Sequence, residues 1–386
     1  MKKILLTLLL IFLSVSVIFA APLRFIFADL GQHPEILMGF LPTYLLLGGG
    51  YELPSIIDGN KTEIQMLLGA GYNQRKMWQD QVTGEPIYDS PLIYDIIQTD
   101  WIFKFSQGFW DSPVKGKDLL TLTLSYDGKF EVAKDSMVLG KVRENNSKSP
   151  VIGLDDWLHD NSSVYPDLSG NHQFLGTCFG FNAKLDMMED LKSTNDGFVA
   201  KVDVKYAPLV LNKALNGFAD YYTTSLNMVG SKTLFSLKEN SKVLFSIVMI
   251  DRVNVGWMDG SAVPAYASGP FSLGRKVRGF KTWTYDTQFA AVNNFDIRLA
   301  GVDLGVKGIF PRINFFYDVG YGFGNYLNSK IDSGDGNLLM STGVQVTVSF
   351  FDFIDLGYQI AYLFDGKNFS TPNNRVVGSF TFFLDF

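Results

Sequence analysis

From residue 41 onward, apolar and polar positions alternate along the chain in segments of roughly ten residues, the length that crosses a bilayer as a tilted strand. In 198–206, Phe198, Ala200, Val202, Val204 and Tyr206 share one face, and Val199, Lys201, Asp203 and Lys205 the other. In 313–323, Ile313, Phe315, Tyr317, Val319, Tyr321 and Phe323 oppose Asn314, Asp318, Gly320 and Gly322, with Phe316 the exception. The same period recurs in 120–126 and 344–350. Period-two segments are strands. The pattern predicts them near 41–52, 63–74, 93–109, 118–131, 173–187, 197–210, 219–236, 242–257, 288–300, 312–324, 338–350, 354–364 and 375–386. Thirteen is odd, whereas single-chain bacterial barrels have even counts. Further strands are therefore expected in 131–172, where Asn, Ser, Asp and Pro blur the alternation. No Pro- or Ser-rich linker divides 41–386, which reads as one domain.

Alternation alone fits a soluble sandwich as well as a membrane barrel. Here the polar face is mostly Gly, Ser, Thr, Gln and Asn, and the apolar face carries aromatics near segment ends. That combination fits a watery lumen inside a lipid-facing belt. The last segment alternates through Val376, Gly378, Phe380, Phe382, Leu384 and Phe386. An amphipathic final strand ending in Phe is the assembly signal of bacterial outer-membrane barrels, here Phe380, Phe382, Leu384 and Phe386.

Composition narrows the classes further. The 386 residues are 47% hydrophobic and 19% charged, yet no internal stretch is long and apolar enough for a membrane helix. One cysteine, Cys178, excludes a disulfide framework, and three scattered histidines (His33, His159, His172) supply no metal centre. No cofactor is expected. Lys2 and Lys3 before the apolar run 4–13, then small residues to Ala20, read as a signal peptide over 1–20, followed by a short N-terminal segment over 21–40. Export takes the chain to the outer membrane of a diderm bacterium. Losing the two lysines moves the net charge from −6 to −8, leaving no electrostatic case for nucleic acid.

Between the strands ending near 257 and starting near 288, residues 261–284 lack strand alternation. Loops of that length in compact folds are functional or disordered. This one holds Gly269-Pro270-Phe271-Ser272-Leu273-Gly274, then Val277-Arg278-Gly279-Phe280. The next strand carries Asn294-Phe295-Asp296-Ile297-Arg298, and the one after Phe315-Phe316-Tyr317-Asp318-Val319-Gly320. Strand parity places Asp296 and Asp318 on the lumenal face, where one Arg fork could bridge both carboxylates.

These residues resemble the superfamily of BamA-type outer-membrane insertases and two-partner-secretion transporters, the bacterial surface antigen family. The resemblance covers roughly residues 173–386. It implies an antiparallel transmembrane β-barrel of sixteen strands, whose sixth extracellular loop folds into the lumen. It also implies that Arg278 at the loop tip pairs with Asp296 and Asp318. The chain departs from the family at Leu273-Gly274, where paired Gly precede the tip, and at Ala300-Gly301, where Pro is expected. Strands begin soon after the signal peptide, which leaves no room for the family's periplasmic POTRA domains.

The implied function is insertion or translocation of proteins or lipids at the outer membrane. Its partners would be outer-membrane lipid, client barrel or secreted proteins, and the barrel-assembly machinery for the chain's own insertion. The first and last strands of the family meet in a weak seam, here 41–52, with Gly48-Gly49-Gly50, against 376–386. A passive channel for small solutes is the alternative. An enzyme is not expected, because no G-x-S-x-G or Ser/His/Asp arrangement is present.

Overall fold

In a computed structural model, the described residues are 23–32, 42–53, 56–77, 92–112, 117–135, 137–138, 141–142, 173–189, 196–239, 242–264, 267, 273–280, 287–301, 309–324, 337–350, 354–364 and 375–384. They form sixteen strands: β1 (Leu23–Gln32), β2 (Pro42–Leu53), β3 (Thr62–Met77), β4 (Leu92–Asp111), β5 (Asp118–Asp135), β6 (Met137–Val138), β7 (Lys141–Val142) and β8 (Gln173–Asp186), followed by β9 (Gly197–Ala207), β10 (Asp220–Glu239), β11 (Lys242–Ala262), β12 (Phe289–Ala300), β13 (Ile309–Phe323), β14 (Asn337–Phe350), β15 (Ile354–Leu363) and β16 (Val376–Leu384). Two short helices join them, α1 (Leu209–Ala214) and α2 (Leu273–Lys276). No helix among the described residues is long and apolar enough to cross a membrane.

Every strand except β6 and β7 belongs to one antiparallel sheet of fourteen, ordered as in the sequence. β6 and β7 pair only with each other. Sixteen strands were expected, and among the described residues the sheet holds fourteen. One of them, β1, lies within the segment read as a strandless lead-in, and the range 131–172, where further strands were expected, carries β6 and β7 among its described residues. Residues 1–20, and with them the expected signal peptide, lie outside the described residues, as do 143–172. Among the described residues no ladder joins β16 to β1. The proposed seam partner also changes. β2 is paired on both flanks, with β1 and β3, so the edges are β1 and β16. Gly48 lies inside that sheet, where a Cβ would stand 1.8 Å from the Met66 carbonyl oxygen; its role is close strand approach.

The faces of the sheet are inverted relative to a soluble protein. On β13, Phe315 and Tyr317 are 47% and 41% exposed, whereas Phe316 between them and Asp318 after them are buried. Ile360 and Tyr358 on β15 and Val346 on β14 are also exposed, while Ser341, Asp95 and Asn314 are buried. At one end of the outer face Trp257, Phe289 and Phe323 cluster, with ring centroids 4.9 Å apart for the two Phe. Aromatic girdles occupy such positions in membrane barrels. The outer face carries a polar pair, Asn293 and Asp251, in which Asn293 Nδ2 donates to Asp251 Oδ1 at 2.6 Å. The inner face is concave. One cavity of about 590 Å³ among the described residues touches β3, β4, β5, β8, β9 and β10, lined among others by Gln65, Lys104, Thr123, Asp203 and Ser225.

Candidate functional site: a charged lock between the loop and the inner face

The chain after β11 turns inward, and α2 seats the tip of the loop. Val277 N–H donates to the Leu273 carbonyl at 2.8 Å, and Phe280 N–H to that of Val277 at 3.3 Å. Leu273 and Val277 are fully buried with Ala290, Val292 and Leu339, and Phe280 packs against this cluster. An apolar plug thus anchors the loop to β12 and β14. The segment 269–272 ahead of it lies outside the described residues.

Two glycines create the seat. Gly279 has φ +93, and a Cβ there would stand 2.7 Å from Leu363 Cδ2 and 2.8 Å from Ala361 Cβ. Only glycine combines that left-handed backbone with so close an approach to β15. Gly320 on β13 is the complement, since a Cβ there would lie 2.6 Å from Val277 Cγ2. The glycine after Asp318 therefore accommodates the tip's valine.

Arg278 is the polar half of the lock. Its Nε donates to Asp318 Oδ2 at 2.9 Å and its Nη2 to Oδ1 at 2.6 Å, a two-pronged fork. Its backbone N–H also reaches Oδ2, at 2.9 Å. Asp296 Oδ1 stands 2.7 Å from Nη2, an ion-pair contact whose alignment falls short of a hydrogen bond. The guanidinium lies over the Phe316 ring, 4.0 Å from its centroid. Phe316, the exception to the alternation, is 2% exposed on the inner face and serves as that platform. Charge-assisted, bidentate bonds of this kind are roughly twice as strong as neutral ones.

The structure brings Val277, Arg278, Gly279, Phe280, Asp296 and Asp318 together. It adds a residue the sequence did not single out: Arg252 on β11 donates through Nη1 to Asp296 Oδ2. Register explains the contact, because Arg252 faces Asn294 while Ile250 faces Asp296, which makes Arg252 and Asp296 diagonal neighbours. Asn294 ties in the loop backbone, with Nδ2 donating to the Lys276 carbonyl at 2.9 Å. Burial, with Arg275 beside it, pulls the Lys276 ammonium below its ordinary pKa.

The C-terminal positions lie apart from this lock. Phe380 on β16 is 87% exposed on the outer face, its ring 4.7 Å from that of Tyr358. In the β15–β16 ladder Phe382 stands opposite Leu356 and Leu384 opposite Ile354, and Phe386 lies outside the described residues. Cys178 is buried and forms no disulfide. Among the described residues no group of three or more His, Cys, Asp or Glu is arranged to hold a metal ion.

No family model matches the chain, and no curated protein sequence matches it. Among solved structures, the chain is similar to BamA from Haemophilus ducreyi lacking POTRA domains 1–3. The TM-score is 0.48 and the identity 11%, over 94% of this chain and 70% of that one.

Proposed function

We propose that the chain is an outer-membrane β-barrel that takes part in inserting or translocating proteins or lipids, with the Arg278 loop as an internal brace. The observation that carries the membrane reading is the inversion of the sheet: exposed Phe315, Tyr317 and Ile360 outside, buried Asp318, Ser341 and Asn314 inside. In water such an outer face would be a large aggregation-prone patch, whereas in lipid it is the stable arrangement. Connection lengths orient the barrel. β10 and β11 are joined by 240–241 and β14 and β15 by 351–353, while 263–288 connects β11 to β12 at the other end. Short turns face the periplasm and long loops the exterior in such barrels. On this reading the loop enters from outside and crosses into the lumen.

The brace supports a role in insertion because the two edges, β1 and β16, share no ladder among the described residues. Unpaired strand edges in lipid are costly, so a substrate strand or the partner edge must satisfy them. The lock on β12 and β13 holds the inner wall rigid while those edges exchange partners. Clients would be barrel or secreted proteins, and the Phe380-bearing last strand would be read by the barrel-assembly machinery. The test is depletion of the protein followed by a census of outer-membrane proteins. Loss of a subset of barrels supports the proposal, and an unchanged outer-membrane proteome with a steady open conductance in planar bilayers refutes it. The polar cavity lined by Lys104, Thr123 and Asp203 favours the second reading, a passive channel for small solutes, which that conductance would establish.

A further inference from the structure

Asp251 and Asn293 interrupt the outer face where it should be most strictly apolar. Between Ile247 and Trp257 on β11, and between Phe289 and Leu299 on β12, every other outward position is apolar. Asp251 lies six residues from Trp257, the girdle residue on the same strand. At about 3.3 Å per residue and a tilt of roughly 40°, that is about 15 Å along the membrane normal. The apolar band of such barrels is about 25 Å tall, so the carboxyl stands near its middle. The nearest outward charge in the β10–β11 ladder is Lys232, opposite Met249, and it is already paired with Asp196 at 2.9 Å.

The pair is left incomplete. Asn293 Nδ2 spends one N–H on Asp251 Oδ1, at 2.6 Å. Its second N–H and Asp251 Oδ2 take no hydrogen bond among the described residues. Acyl chains offer neither donor nor acceptor, so each unmade bond costs free energy at that depth. Beside the pair the wall is recessed. Gly230 stands opposite Asp251 in the ladder, and a Cβ there would meet nothing within 4 Å. Glycine weakens a strand interior, and such positions mark places where another backbone comes close.

We propose that this face is the contact between two copies of the chain, related by a two-fold axis along the membrane normal. Copies inserted in one membrane share orientation and depth, so their polar pairs meet at the same height. The pair is self-complementary, as a two-fold interface requires. The second N–H of Asn293 in each copy meets Asp251 Oδ2 of the other, and the Gly230 recess lets the two walls approach. A lipid headgroup does not reach this depth, and an acyl chain supplies no donor. The inference rests on the reading that the apolar face meets lipid, and it holds whatever the barrel transports.

The test is energy transfer between donor- and acceptor-labelled full chains, reconstituted together in phosphatidylcholine vesicles at a low protein-to-lipid ratio. The heat-dependent gel shift reports insertion in the same samples. Saturable transfer that fits a dimer is expected. Asp251→Leu and Asn293→Leu should each weaken association at least about tenfold, the loss of a hydrogen bond to a charged group. Both variants should still insert, because Leu suits the lipid-facing side. Gly230→Leu fills the recess and should weaken association likewise, whereas Val346→Leu, on the outer face of β14, should leave it unchanged. Inserted chains that stay monomeric would overturn the proposal and assign the pair to a different membrane protein. Association unaltered by the three substitutions would overturn it too, by placing the contact elsewhere. Chains that fail to insert would overturn the lipid-facing reading, and the proposal with it.

Discussion

Replacing Arg278 by Ala removes two side-chain hydrogen bonds to Asp318, the ion-pair contact with Asp296, and the stacking on Phe316. The partners do not suffer equally. Asp296 keeps Arg252, whereas Asp318, fully buried, retains only the backbone N–H of residue 278. The dominant effect is thus a buried carboxylate stripped of its countercharge, which costs about 3–5 kcal/mol. That origin dictates a second outcome. Once Asp318→Asn has removed the charge, Arg278→Ala should cost less, with a coupling of about 1–3 kcal/mol in the double-mutant cycle. Arg278→Lys should fall between, because an ammonium cannot reproduce the fork. Urea unfolding in lipid vesicles, followed by the heat-dependent gel shift of folded barrels, measures all five proteins, the unmodified chain and the four variants. A single-mutant effect below about 1 kcal/mol, the range of an exposed ion pair, would refute the lock. So would single effects that simply add.

Three further outcomes follow from the same geometry. Gly320→Ala should destabilise by about 1–3 kcal/mol through overpacking against Val277, and Val277→Ala should restore part of the loss in the same unfolding assay. Asn212 on α1 is fully buried and bonds Thr177 N–H at 2.7 Å and the Ala219 carbonyl at 2.9 Å, so Asn212→Ala should cost about 1–3 kcal/mol and speed hydrogen exchange at Thr177. At the turn before β9, hydrogen bonds from Thr233 and then from Lys232 lower the Asp196 carboxyl to about 2. A depressed acid contributes stability above its unfolded pKa, near 3.8, and loses it as pH falls toward 2. Asp196→Asn should therefore lower stability near neutrality, flatten the acid-unfolding profile in that window, and bring the two proteins together as pH falls to about 2.

Most strands were legible because a one-residue slip would turn every apolar side chain to the wrong face, so the sequence must mark parity strongly. β1 was hidden because its register shifts between Phe27 and Asp29 and again between Gly31 and Gln32, which breaks the alternation. The strand expected to reach residue 210 stops at Ala207, because Pro208 supplies no N–H to the ladder and opens α1 instead. The sixteen-strand count came from resemblance, not from the residues, and the described residues place fourteen strands in the sheet. At the site, parity brought Asp296 and Asp318 to the inner face. Arg252 escaped because its place beside Asp296 depends on the β11–β12 register, which one strand's pattern cannot fix. The reason for Gly320 was equally invisible, since Val277 arrives from a distant loop.

The central claim is that the apolar face meets lipid and the charged face does not. Single cysteines placed at successive positions from 313 to 323 in a Cys178→Ser background, spin-labelled and reconstituted in vesicles, test it directly by collision with oxygen dissolved in the bilayer. The account expects high oxygen accessibility at odd positions such as Phe315 and Tyr321, and low accessibility at even ones such as Asn314 and Gly322. Accessibility without a two-residue period, or a period with the even positions in lipid, would contradict it.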